Sequence, residues 1–322
     1  RRFGTAAAGG NGTRGAEGDR MTFSAAMVRV LREKTGAGMM GCKAALAEAG
    51  GDMENAIDVL RKRGLKVAEK KAGRVAADGL VAGWTSPDGT AGALVEVNCE
   101  TDFVARTEKF AGLAQSLVAM VGADPAAADV ATLLTRPLKG TPVAEVVKEL
   151  IGSIGENIVV RRAAYLALPA NSKGLVANYL HAGGKIGVLV GLGCGSERVA
   201  QSEELHKLGK DLALQVCSAE PAFIGRDEVP GDVLDREREI LRALPDVLGK
   251  PAPIQDKIIQ GRLEKFYTER CLVDQLFIKD PEGKQKVRDV LAAVQKATGE
   301  PVVLTGFVRL RLGDGIEKRK TE

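Results

Sequence analysis

Apolar positions along the first folded stretch of the chain recur at helical spacing, and each run is closed by its own punctuation. Ser24 is placed to cap a helix that carries Met27, Val28 and Leu31 on one face and stops at Gly36. A second helix is predicted from about Met39 through Cys42 and Leu46 to the Gly50-Gly51 break. Asp52 then caps a third, with Ala56, Ile57 and Leu60 on one face, which is expected to end at Gly64. Three helices in so short a stretch predict a small bundle, a form used for docking more often than for catalysis. Lys66 to Arg74 reads as a basic linker after it.

Beyond that linker the chain repeats itself. A shift of 95 residues aligns Gly79–Val121 with Gly174–Val216 without a gap, with fifteen of the 43 positions identical. Gly79-Leu80-Val81-Ala82 meets Gly174-Leu175-Val176-Ala177, Cys99 meets Cys194, and Val104-Ala105 meets Val199-Ala200. Each copy reads as hairpin, loop, helix. Pro87-Asp88-Gly89 makes the turn between strands near Leu80–Trp84 and Ala91–Asn98, and Thr107 and Ser202 are the helix caps. The helices carry Phe110, Leu113, Leu117 and Val121 in one copy and Leu205, Leu208, Leu212 and Val216 in the other. A two-stranded hairpin is marginal alone, so the copies are expected to pack as related α+β subdomains. Val308, Leu310 and Leu312, alternating with arginines, predict one more strand near the end.

Between the second copy and that strand lies a helical hairpin. Leu234, Leu241, Leu244 and Leu248 mark the outward helix, Ile254, Ile258 and Phe266 the return, and Gly249-Lys250-Pro251-Ala252-Pro253 the bend. Such an arm is usually an interaction element.

Composition narrows the chemistry. The 322 residues are 45% apolar and 27% charged with a formal net charge of +4, which is ordinary for a globular protein and gives nucleic-acid binding little support. No apolar run approaches the roughly 20 residues that cross a bilayer. Five cysteines without a C-x-x-C pair argue against a disulfide framework or zinc knuckle, and with only His181 and His206 a multi-histidine metal site is excluded. No P-loop is present. Gly191-Leu192-Gly193-Cys194-Gly195 faintly suggests a dinucleotide loop but fails the G-x-G-x-x-G spacing, and reads instead as a bend. No catalytic residue, metal or cofactor is expected.

The repeats diverge in the loop before the helix, where Asn98-Cys99-Glu100-Thr101-Asp102-Phe103 faces Gly193-Cys194-Gly195-Ser196-Glu197-Arg198. Composition alone favours a core place for Phe103 and a solvated cap for Asp102. A sharper reading makes the pair a wedge, the ring displacing a partner's packing while the acid disturbs a charge network.

These segments resemble the elongation factor Ts family. Leu31-Arg32-Glu33-Lys34-Thr35-Gly36-Ala37-Gly38-Met39-Met40-Gly41-Cys42 is similar to its opening signature, and Glu96-Val97-Asn98-Cys99-Glu100-Thr101-Asp102-Phe103-Val104-Ala105 to its second. Ile154-Gly155-Glu156-Asn157-Ile158, Gly184–Val190 and Gly313–Lys318 resemble further segments, so the likeness runs from about Thr22 to Lys318. The resemblance implies an α+β protein with an N-terminal ubiquitin-associated-like three-helix module, two duplicated core subdomains and a protruding coiled-coil hairpin. It implies guanine-nucleotide exchange on elongation factor Tu without any enzymatic reaction. Thr101, Asp102, Phe103 and Val104 would dislodge the partner's Mg²⁺, and Met39, Met40, Ile154 and His181 would lie in the same interface. Some members continue past the point where this chain ends, into a helix that also touches the GTPase, and that contact is expected to be missing.

The domains expected are residues 1–21 as a presequence remnant or disordered leader, 22–73 as the docking module, 74–170 as one core subdomain and 171–230 as the first part of the other. Residues 231–272 form the hairpin, and 273–322 complete the second subdomain with a tail. The Arg-rich leader lacks an acid before Glu17, which points to a presequence and the mitochondrial matrix, with the chloroplast stroma or bacterial cytoplasm as alternatives. A ribosome- or RNA-associated adaptor using Lys66–Arg74 is the competing function.

Overall fold

The computed structural model describes residues 23–317. The leader and Lys318 of the last family segment lie outside the described residues. The chain divides into two compact units, one ending at Lys66 and one beginning at Val67.

In the first unit, α1 (Ala25–Thr35), α2 (Met39–Glu48) and the first part of α3 (Met53–Lys71) pack around Val28, Leu31, Cys42, Ala45, Leu46 and Ala56. Ser24 caps α1 by accepting the Met27 N–H at 3.3 Å, Gly36 ends it in the left-handed region at φ 66°, and Asp52 Oδ1 accepts the Asn55 N–H at 2.7 Å. The third helix does not stop at Gly64. It runs on to Lys71, so most of the expected linker is helical. One glycine costs a helix only about 1 kcal/mol, and Ala68, seven residues after Arg61, is buried in the core of the second unit and holds the last turns.

The second unit is built twice. Its first half runs β1 (Asp78–Thr85), β2 (Ala91–Cys99), α4 (Asp102–Ala105), α5 (Glu108–Ala123), α6 (Val130–Thr135), the minimal pair β3 (Pro137–Leu138) and β4 (Thr141–Pro142), α7 (Val143–Ile154) and β5 (Ile158–Ala167). Its second half runs β6 (Lys173–His181), β7 (Ile186–Cys194), α8 (Glu197–Ala200), α9 (Glu203–Ala219), the arm α10 (Gly231–Arg242), α11 (Pro245–Leu248) and α12 (Ala252–Arg270), then α13 (Val287–Thr298) and β8 (Val302–Arg311). Antiparallel sheets β1-β2-β5 and β6-β7-β8 result. The protein is α+β.

Thr107 and Ser202 cap α5 and α9 as their sequence positions predict. The odd residues of β2, Ala93, Val95, Val97 and Cys99, face the helical layer with Phe110, Leu113 and Leu117 of α5. The even residues face the other way, and Leu94 meets Val176, Leu189 and Leu310 in a core shared by the two sheets. Each half opens on a glycine in the left-handed half of φ space, Gly79 at 135° and Gly174 at 143°, where a Cβ would stand 2.1 Å from Val97 O and 1.9 Å from Leu192 O. Both sheets also slip register at the matching place, between Glu96 and Val97 and between Gly191 and Leu192.

The arm is a helical hairpin with Leu241, Val247, Ile259 and Leu263 inside. Leu248 and Ile254, expected on the packing face, are exposed. The chain breaks earlier than the predicted bend, because Pro245 starts the short helix α11, and the new phase turns Val247 inward in place of Leu248. Gly191 and Gly193 lie inside the paired strand β7, so the glycine-rich stretch is neither a bend nor a dinucleotide loop.

Candidate functional site

Strand β2 ends at Cys99, and the chain turns a corner through α4 before α5 begins. Thr101 sits in extended backbone at φ −130° and caps α4, its Oγ1 accepting the Val104 N–H at 3.5 Å. Val104 and Ala105 point into the core. In a single helical turn those two inward positions leave Asp102 and Phe103 outside. Phe103 is 79% exposed, the most exposed large apolar side chain among the described residues. Its core placement, the choice composition favours, is therefore corrected. Asp102 pairs with Arg106 one turn on, at 2.8 Å.

The corner is held from across the sheet. Glu156, two residues before β5, accepts the Thr101 N–H at 3.0 Å with one carboxylate oxygen and the Thr101 hydroxyl at 2.7 Å with the other. Glu100 reciprocates by accepting the Asn157 N–H at 2.8 Å and Arg74 at 3.2 Å, and Asn157 Nδ2 donates to Arg74 O. Burial would raise the Glu100 carboxyl, but Asn157, Arg74 and Lys71 outweigh it and hold it below the usual carboxylate range. Cys99 donates its S–H to Thr101 O at 3.0 Å, and burial, helped by the Glu156 and Asp78 carboxylates, pushes its thiol up to about 12.

The other sequence-predicted residues fall at three places. Ile154 ends α7, half-buried against the first core, two residues before Glu156 and so beside the corner's support. His181 ends β6, exposed, with Nδ1 2.9 Å from Tyr179 Oη. The turn after it approaches the same end of the first sheet, since Lys185 lies 3.8 Å from Asp78, the register partner of Cys99. Met39 and Met40 open α2 in the first unit, 52% and 75% exposed.

Sequence reasoning quoted Glu100, Glu156 and Asn157 within family segments but gave them no role. A second repeat would have found Glu156, since Gly155-Glu156-Asn157-Ile158-Val159 recurs as Gly299-Glu300-Pro301-Val302-Val303. The intervening segments differ in length, so this repeat has a different offset from the first. Glu96 was likewise quoted without a role, yet it is fully buried, taking Arg161, Arg162 and the Gly313 N–H, and ties β2 and β5 to the turn after β8.

The chain matches the family model described as Elongation factor TS over residues 100–314. It is 44% identical to elongation factor Ts of Magnetococcus marinus over 94% of this chain and 96% of that one. It is 46% identical to that of Rhodospirillum centenum, over 93% and 96%, and 44% identical to that of Clostridium perfringens, over 92% and 95%. The chain belongs to the elongation factor Ts family. It is thereby a translation elongation factor of bacterial type, and the matched span contains the Asp102–Phe103 corner, Ile154, the Glu156 latch and His181. No described helix is long and apolar enough to cross a membrane.

Proposed function

We propose that this member of the family acts as the guanine-nucleotide exchange factor of elongation factor Tu, with the Asp102–Phe103 corner as its wedge. The observation that carries the reading is a phenylalanine left 79% exposed on a corner that is itself firmly tethered. A large ring in water is unfavourable, by roughly 1.5–3 kcal/mol relative to burial, and docking into a partner recovers that free energy. Asp102 brings a carboxylate next to the ring, suited to compete for cations or cationic side chains at a nucleotide site.

Mg²⁺ demands near-octahedral oxygen ligands and ties the β-phosphate of GDP to a GTPase, so disturbing its shell weakens nucleotide binding. Each tenfold loss of GDP affinity requires about 1.4 kcal/mol of coupling, and GDP weakens the exchange factor by the same factor. No bond is made or broken in this chain. Thr101 and Val104 hold the wedge, Met39 and Met40 supply an apolar docking patch, and Ile154 and His181 contribute to the same interface. The working parts are the three-helix module, the duplicated core and the coiled-coil arm. A mitochondrial address rests on the composition of the leader alone, and failure of that leader to carry a reporter into mitochondria rejects it.

The test is Asp102→Ala with Phe103→Ala. Because Phe103 is outside the core, the double variant keeps its melting temperature, with a stability change within about 0.5 kcal/mol. Release of fluorescent GDP from elongation factor Tu slows tenfold or more. A large fall in melting temperature with normal release rejects the wedge.

A further inference from the structure

We infer that Glu156 is the positioning residue of the wedge, a role that rests on the exchange-factor reading above. The last paired residues of β2 and β5 are Cys99 and Ile158. Past them the backbone ladder stops, and two carboxylates take over: Glu156 holds Thr101, and Glu100 holds the Asn157 N–H. Thr101 has one hydroxyl proton. Donating it to Glu156 turns the oxygen's lone pairs toward the Val104 N–H, which is the cap that starts α4. A helix of four residues does not hold itself, since nucleation is unfavourable. Its geometry is therefore set by the cap, and the cap by Glu156.

The second half carries the hydroxyl part of the same device and supports this assignment independently. Glu300 stands two residues before β8 as Glu156 stands before β5, and it accepts the Ser196 hydroxyl at 2.9 Å, where Ser196 caps α8 as Thr101 caps α4. There the residue matching Phe103 is Arg198, which also bonds Glu300, at 2.9 Å, and Thr298 O. The latch is thus a property of the scaffold, and only in the first half does it leave its corner residue free to project.

The experiment measures release of fluorescent GDP from elongation factor Tu by stopped flow, and amide exchange of the free protein by NMR. Glu156→Ala is expected to lower the maximal release rate on the order of tenfold and to speed exchange of the Thr101 and Val104 amides. Glu156→Gln keeps an acceptor for the Thr101 N–H and recovers part of both. Glu300→Ala, which damages the equivalent latch, leaves release unchanged. Added to Asp102→Ala with Phe103→Ala, Glu156→Ala slows release no further, because it acts through those residues. Unchanged protection of Thr101 and Val104 in Glu156→Ala overturns the latch whatever the release assay gives. Fast amide exchange with wild-type release, equal slowing by Glu300→Ala, or multiplying losses in the combined variant overturns the positioning role. If wild-type protein does not accelerate release, the exchange reading itself fails; if it does and Asp102→Ala with Phe103→Ala matches it, the wedge fails; the positioning role falls in either case.

Discussion

The two halves of the larger unit follow one course, from a hairpin through a four-residue helix and a long helix to a final helix and strand, and their sheets pair in the same order. On the surface they differ at two places. In the first half the corner projects an exposed phenylalanine; in the second, the matching Arg198 folds back on Glu300. Between the long helix and the final helix, the first half carries only short elements, whereas the second carries the arm α10 to α12. The cap positions, the places of the bulges and most core positions, which hold the fold, are kept in both. Surface corners and insertions, which the core does not constrain, are where the copies part.

The interior differs at Glu96, whose counterpart Gly191 has no side chain and faces Thr305. The bulged residue of β5 is Arg161, aimed by the slip onto Glu96; the bulged residue of β8 is Thr305. One half thus closes on a buried ion cluster and the other on the Thr305 hydroxyl set against the Gly191 backbone. Glu96→Ala is expected to show the largest effect, a loss of about 3 kcal/mol. That is the low end for breaking a buried pair, because Arg161 and Arg162 remain 25% and 30% exposed. Denaturant unfolding measures it, and a loss under about 1 kcal/mol means that the cluster is as dispensable as its glycine counterpart.

A smaller effect concerns helix seating. Trp84 lies over Gly122 so closely that a Cβ there would stand 2.4 Å from the ring, whereas Tyr179 and Cys217 hold the matching positions. Gly122→Ala should cost about 1–3 kcal/mol by overpacking. Trp84→Tyr combined with Gly122→Cys, which imports the pair from the second half, should recover most of that loss. Simple addition of the two single-variant losses in thermal unfolding breaks the equivalence of the halves.

The smallest effect separates Cys99 from Cys194. Burial raises both thiols, but Cys99 is fully buried and its pKa reaches about 12, while Cys194 is partly exposed. Alkylation of the native protein at about pH 8 should mark Cys194 first, since a thiol of ordinary pKa near 8.5 needs access and ionisation to react. A folded pKa above the unfolded one leaves the stabilisation intact below about pH 8.5 and removes it as pH climbs toward about 12. Peptide mapping that finds the two cysteines equally labelled refutes the difference.

Much of this fold is legible in local sequence. Ser24, Thr107 and Ser202 announce their helices because a cap acts on amides two or three residues away, and the 95-residue repeat exposes the duplicated hairpins because core positions change slowly. The site is only half legible. Thr101-Asp102-Phe103 stands out as the place where the copies diverge, but the Glu156 latch joins residues 55 apart and shows only as a short second repeat at a different offset. Gly64 misleads for the same reason, since the contact that keeps α3 helical lies in another part of the chain.

By itself the sequence determined the α+β class, the caps, the repeat that places the duplicated hairpins, and the family, all of which rest on interactions between near neighbours or on residues compared one by one. Only the tertiary structure decided that Phe103 faces water, that Leu248 and Ile254 lie outside the arm's core, and that Glu96 and Glu156 bind across strands. The physical reason is that hydrophobicity says a residue gains by burial without saying which of two neighbours obtains the inward place. At the corner Val104 and Ala105 fill the space beneath α4, and the ring of Phe103 is left outside.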